Sequence, residues 1–155
     1  MQTTEKLLFE KVAKLAHNVK QDFKNKGLVV PTRLPNGNIQ VGNFVIARLN
    51  HQFFVRDKKG KNVIGPLNLA QTAVLIANDL ALGRIPDPQV LDADTWYGYK
   101  AFDEEVSTNI AERARKEQDH DRADLSQYKA SVAHQLKLQY KKGIEMRFNK
   151  LCKLT

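Results

Sequence analysis

The sequence predicts an α+β fold, and three observations lead to this prediction. Residues 4–25 place apolar side chains every three or four positions, which is typical of an amphipathic helix. Residues 28–65 alternate β-prone runs with turn residues, which is typical of an antiparallel meander. An almost wholly apolar segment follows, and residues 95–155 contain no proline. We therefore expect an N-terminal helix, a three- to four-stranded antiparallel meander, a buried central helix and a long C-terminal helical segment.

Turn residues and prolines delimit the expected strands. Pro31 confines the first β-prone run to a sheet edge or to the start of a strand, because proline cannot donate a hydrogen bond to the ladder. Hairpin turns are expected at Asn36-Gly37, at Asn50-His51 and in the loop of residues 58–61. Strands are expected between these turns, including one within residues 39–49, and Pro66 is expected to end the sheet.

The central helix is expected over residues 69–82, with Asn68 as its N-cap and Gly83 just beyond its C-terminus. Its residues are apolar nearly all round, so it should be buried against the sheet. The side chains expected to be buried there are Leu75, Ile76 and Leu80.

The remainder of the chain is expected to be a loop followed by helices. The loop contains two prolines and three aspartates, and either Asp94 or Thr95 can cap the next helix. Beyond it we expect two long helices, or one helix with a break near residues 119–124. The chain is thus divided into an α+β core over residues 1–94 and a helical extension over residues 95–155, which together form one structural domain.

Composition indicates a globular protein of a reducing compartment. The chain of 155 residues is long enough to bury a core without disulfides. Its single cysteine, Cys152, excludes an internal disulfide and a zinc site built from several cysteines. No run approaches the roughly 20 apolar residues that span a bilayer, and the N-terminus does not resemble a signal peptide. We therefore expect a cytoplasmic protein without a membrane partner.

The net charge of +8 is distributed unevenly along the chain. Residues 28–65 carry six basic residues and one acidic residue, whereas residues 102–124 carry four basic and eight acidic residues. Residues 125–155 are basic again, with seven basic residues and one acidic residue. This pattern suits an acidic partner, either nucleic acid or protein, and it suits self-association equally.

Basic residues of the meander are candidates for contacts with nucleic acid. The order of a helix, three strands and a helix is shared with the double-stranded-RNA-binding domain, in which the second helix opens with a basic cluster. That match is rejected here, because no Lys or Arg lies between Lys61 and Arg84. Nucleic-acid binding stays the alternative function, and its candidate residues are Arg48, Arg56, Lys58, Lys59 and Lys61.

Residues with catalytic or metal-binding chemistry form no recognisable motif. His120 and Asp124 have the four-residue spacing of helical metal ligands, but no second imidazole lies nearby and the segment is more typical of a solvated helix face. The sequence contains no glycine-rich phosphate loop, serine elbow, paired-cysteine motif or HExxH pattern. It therefore predicts no catalytic residue, no metal and no cofactor, and it leaves open an active site assembled only by the tertiary fold.

The strongest functional signal lies near the C-terminus, where apolar residues recur every four positions: Tyr128, Val132, Leu136, Tyr140, Ile144, Phe148 and Cys152. Each step of four residues turns about 40° around a helix, so the stripe wraps much of its circumference. Such a stripe is either covered by the chain's own domain or packed against another chain. We favour another chain, and the expected interface residues are Tyr140, Ile144, Phe148, Trp96 and Tyr97. Gly143 is expected as a kink or as a point of close helix approach.

Three runs carry a resemblance to a known group of proteins: residues 42–46 (GNFVI), 53–60 (FFVRDKKG) and 67–73 (LNLAQTA). Together with the charged helical tail, their layout over residues 40–150 resembles small uncharacterised proteins of tailed phages that infect marine bacteria. The resemblance implies a phage origin, with a place in the host cytoplasm or in the virion. The sequence thus predicts a non-catalytic interaction or assembly protein, with a second copy or another protein as its partner.

Overall fold

The computed structural model describes residues 31–153, which form five strands followed by three helices. The strands are β1 (Pro31–Arg33), β2 (Ile39–Val41), β3 (Phe44–Leu49), β4 (Gln52–Arg56) and β5 (Asn62–Leu67). The helices are α1 (Ala70–Ala81), α2 (Pro88–Lys116) and α3 (His120–Lys153). The N-terminal helix expected over residues 4–25 lies outside the described residues.

The described strands form one antiparallel meander in the order β1-β2-β3-β4-β5. This arrangement confirms the α+β class, and five strands replace the expected three to four. One additional strand arises inside residues 39–49, which were expected to hold a single strand. Gly42 adopts a φ of +60° and forms a two-residue turn with Asn43, so that Val41 pairs with Phe44. The β-prone residues on both sides of this turn concealed it in the sequence.

The other predicted turns are confirmed. Asn50 and His51 both have positive φ angles, of 52° and 67°, as a two-residue hairpin turn requires. In the next loop, the carboxylate of Asp57 accepts hydrogen bonds from two backbone N–H groups. Pro66 does not end the sheet as expected, since β5 continues to Leu67 with an irregular register against β4.

One face of the sheet buries large side chains beneath α1: Ile39, Val41, Ile46, Phe53, Val55 and Leu67. The residues that α1 contributes to this cluster are mostly small: Ala70, Ala73, Val74 and Ala77. Small side chains bring the helix close to the sheet, and the large strand residues then fill the space. The predicted burial of Ile76 is confirmed, whereas Leu75 and Leu80 are only partly buried.

The joint between α1 and α2 differs from its prediction. Asn68 does not cap α1; its backbone N–H donates to the Asp94 carboxylate at 2.8 Å, and its side-chain amide donates to the Asp94 carbonyl at 3.0 Å. Asp94 is buried within α2 rather than placed at its start. Asp87 caps α2 instead, followed by Pro88, which favours the first helical turn. Asp94 therefore binds the start of α1 rather than capping α2, and the cap of α2 lies seven residues earlier in the sequence, at Asp87.

The helices α2 and α3 form an antiparallel hairpin, which confirms the predicted pair of long helices. They contain 29 and 34 residues, so each is roughly 45–50 Å long. The break falls at residues 117–119, where Gln118 adopts a positive φ of 59°. Near the other end of the hairpin, Phe148 of α3 joins the core cluster of the sheet and α1.

Candidate functional site

The contact between α2 and α3 is lined by small residues near the tip of the hairpin. Ala111 and Ala114 of α2 are fully buried. The buried residues that α3 contributes follow a spacing of three and four: Ala123, Ser126, Ala130 and Ala133. We call these six residues the alanine seam. Helices with such small side chains between them lie close together, so the seam leaves no room for the larger apolar residues of the hairpin.

On the side of the alanine seam nearer the sheet, charged residues of α2 and α3 contact each other, and we call them the charged layer. Glu104 of α2 forms ion pairs with His134, at 2.6 Å between Oε2 and Nδ1, and with Lys137. Burial acts to raise the pKa of Glu104, but the hydrogen bond and charge of Lys137, together with His134, hold that pKa below its ordinary value. These side chains keep part of their contact with water, so the layer contributes modestly to the joining of the two helices.

A groove of about 460 Å³ runs beside the alanine seam. Its apolar lining comes from both helices: Phe102 and Val106 from α2, and Tyr128, Val132 and Leu136 from α3. We call this surface the hairpin groove. Phe102 is 65% exposed and Tyr128 is 68% exposed, although both lie beside a well-packed helix pair. On the rim, Lys100 and Asp103 form an ion pair at 3.6 Å.

Aromatic residues extend the apolar surface of the hairpin groove along α2. Trp96 and Tyr99 pack edge to face, with ring centroids 5.6 Å apart, and about half of each side chain is exposed. Steps of three, three and four residues lead from Trp96 through Tyr99 and Phe102 to Val106, so the four lie on one side of the helix. Trp96, a predicted interface residue, therefore lies on an accessible surface.

The other predicted interface residues have different positions. Ile144 and Phe148 are 1% and 2% exposed, so packing within the chain replaces the expected partner contact. Tyr140 and Tyr97 are half-buried. The stripe thus divides, since its C-terminal end is covered by the chain's own domain and its N-terminal end lines the hairpin groove. A Cβ atom at Gly143 would meet nothing within 4 Å, so this glycine is not a point of close helix approach.

The predicted nucleic-acid residues do not form one face. In the register of β3 and β4, Arg48 lies opposite Phe53, whose side chain points into the core. Arg56 lies opposite Val45, and this pair is on the other face of the sheet. The structure therefore separates these two arginines. It does bring Arg56 next to the exposed loop that carries Lys58, Lys59 and Lys61, and the Arg56 Nε donates to Asn62 at 3.0 Å.

Sequence reasoning missed both the alanine seam and the hairpin groove. The signal for the seam was present as Ala and Ser at alternating steps of three and four from Ala123 to Ala133. Large residues at steps of four dominated the apolar pattern of the same segment and masked it. The groove could be recognised only from the pairing of α2 with α3, because its lining comes from both helices.

Within residues 31–153, no set of three or more His, Cys, Asp or Glu side chains is placed to hold a metal ion. Across the same part of the chain, no helix is both long and apolar enough to cross a membrane. No family model, no curated protein and no solved structure matches this chain.

Proposed function

We propose that the chain is a non-catalytic protein-interaction protein that acts in assembly through its C-terminal helical part. The hairpin groove is the docking surface, and a partner helix is its occupant. One observation carries the proposal: beside the alanine seam, the large apolar side chains of both helices are exposed to water rather than packed between the helices. The resemblance to tailed-phage proteins implies a host cytoplasm or a virion as the place of this role, and we propose it on that basis.

The shape and chemistry of the hairpin groove favour a helical partner. A groove between two antiparallel helices accepts the ridge of side chains along a third helix. Its aromatic residues offer large contact areas with few rotatable bonds, and such residues dominate the binding energy of protein interfaces. The charged pair of Lys100 and Asp103 supplies the polar rim that such interfaces have.

Site-specific photocrosslinking in the full chain tests the proposal. A benzophenone amino acid is placed at Val132, in the hairpin groove, and at Ser131, which is exposed one residue away and points about 100° around the helix. Irradiation in an extract of the producing cells should give a discrete covalent adduct from Val132 and not from Ser131. The substitution Phe102→Asp should abolish that adduct. Equal adducts from both positions, or none from Val132, would reject the groove as a docking surface.

A further inference from the structure

The exposed apolar area beside the hairpin matches what one side of a stable dimer needs. The large exposed side chains on this side are Trp96, Tyr99, Phe102, Val106, Leu125, Tyr128 and Val132. The four aromatic residues alone expose roughly 400–600 Å², given that each has about 150–250 Å² in all. The three aliphatic residues bring the patch towards the roughly 800 Å² that each partner contributes to a standard interface. A patch of this size suits a macromolecular partner rather than a small ligand.

The two helices carry opposite charge. Helix α2 contains six acidic and four basic residues, whereas α3 contains three acidic and eight basic residues. Each helix therefore complements the other, both within the chain and across an interface between two copies. A second copy of the chain offers an acidic α2, a basic α3 and an exposed apolar patch of the same area, so it can match both the charge and the size of the first.

Two symmetric arrangements bring one hairpin groove onto another. With a two-fold axis parallel to the helices, α2 of each copy lies against α3 of the other. With an axis perpendicular to the helices, α3 lies against α3, so that two strongly basic helices face each other. Like charges across an interface are unfavourable, so the parallel axis is the favoured arrangement.

The parallel axis also aligns residues of the same level. Two contacts between α2 and α3 lie on either side of Val106 and Val132: Arg115 with Gln127, and Glu104 with His134. The two valines therefore lie at the same height along the hairpin axis. Rotation about an axis parallel to the helices keeps that level unchanged. Val106 of one copy would then face Val132 of its partner copy.

On the basis of the function proposed above, we infer that the helices covering the hairpin groove are α2 and α3 of a second copy of this chain. The two copies form a two-fold four-helix arrangement with α2 against the second copy's α3. The groove is thereby a self-association surface, and each copy completes the apolar packing of the other.

The mass of the purified full chain tests this inference. Light scattering from roughly 1 to 100 μM should give twice the chain mass of 17.6 kDa. Phe102→Asp should raise the dissociation constant at least about tenfold, since a charge replaces a central aromatic contact, while circular dichroism stays unchanged. Leu138→Asp is the matched control, because Leu138 is 45% exposed on α3 but does not line the groove. It should leave the mass doubled.

Disulfide trapping tests the arrangement. Chains with Val106→Cys and with Val132→Cys, each carrying Cys152→Ser, are oxidised separately and as a mixture. The mixture should form a covalent dimer faster than either chain alone, because a disulfide requires Cα atoms within about 7 Å. Dimers that form as readily from Val106→Cys alone would overturn the parallel-axis arrangement.

Two further results would overturn self-association. One is a monomeric mass over the whole concentration range. The other is an intrachain photoadduct from Val132 to residues 1–30, which would make the N-terminal segment the occupant of the groove. In the monomer case, an adduct from Val132 to a different protein, lost in Phe102→Asp, would leave the proposed function standing. A monomer without any such adduct would reject both.

Discussion

The sheet with α1 and the hairpin of α2 and α3 place their apolar residues in opposite ways. In the first region, large strand residues such as Phe53 and Ile46 are enclosed beneath a helix of small residues. In the half of the hairpin near its tip, the enclosed residues are small and large ones such as Phe102 and Tyr128 lie outside, whereas Ile144 and Phe148 nearer the sheet are buried. Among the described residues, the sheet region thus encloses its large apolar side chains, whereas the hairpin leaves large apolar side chains exposed beside its seam.

The largest expected effect compares two aromatic residues of the same stripe on α3. Phe148→Ala should lower the free energy of unfolding by about 3–5 kcal/mol, because Phe148 fills the common core. Tyr128→Ala should change it by less than about 0.5 kcal/mol, because Tyr128 is exposed. Urea unfolding at low protein concentration measures both, since association then adds little stability. Equal losses would show that the hairpin groove is part of the monomer's core.

A smaller effect should distinguish the two glycines of the hairpin. A Cβ atom at Gly98 would overlap the side-chain amide of Asn68, which hydrogen bonds to Asp94 hold in place. Gly98→Ala should therefore destabilise the protein by about 1–3 kcal/mol, as overpacking does. Gly143→Ala, which meets nothing within 4 Å, should instead stabilise it by up to about 1 kcal/mol through helix propensity. Thermal unfolding of both variants checks the opposite signs.

The charged layer of the hairpin should give a weak dependence of stability on pH. The pKa of Glu104 lies below its ordinary value of 4.5 in the folded protein. Its ionised form therefore contributes stability that is present above that value and is lost as the pH falls through the lowered pKa. Glu104→Gln should remove this contribution, which is less than about 1 kcal/mol at pH 7. Urea midpoints of wild type and variant should thus converge at acid pH; a constant difference would contradict the ion pairs.

The smallest expected effect concerns the basic loop of the sheet. Replacing Lys58, Lys59 and Lys61 together with Gln should leave the mass of the assembly unchanged, because this loop lies far in sequence from the hairpin and lines none of its groove. A test with duplex DNA at several salt concentrations examines the alternative function. If wild type bound DNA and the variant lost about one unit of salt dependence per phosphate contact, nucleic-acid binding would gain support over assembly.

The elements that the sequence predicts best are those defined by local chemistry. The turn at Asn50-His51 and the helix end at Gly83 depend on backbone conformations that few residues adopt easily, and both occur as expected. The two long helices follow from a proline-free segment with a short polar break. In such places the local preference and the tertiary fold agree.

The sequence predicts less where a residue serves a distant element. Asp94 resembles an N-cap of its own helix, yet its carboxylate receives the N–H groups of Asn68 and Leu69 at the start of α1. Ile144 and Phe148 belong to a stripe whose two ends have different neighbours. Apolar periodicity gives the direction in which a side chain points, but it does not give what lies there. The stripe on α3 already contained Tyr128, Val132 and Leu136 of the candidate site, but the groove residues Phe102 and Val106 of α2 could not be foreseen.

The alanine seam also sets the mechanical behaviour of the hairpin. A methyl group fills the gap between the helices at each level, so a side chain with one more carbon would act as a wedge. A larger side chain at Ala111 or Ala130 would increase the distance between the axes of α2 and α3 at that position. The separation would be limited at the tip, where residues 117–119 join the two helices, and the two walls of the groove beside the seam would move apart. Side-chain size at the seam therefore controls the width of the groove, although Ala133 is the one seam residue that lines it.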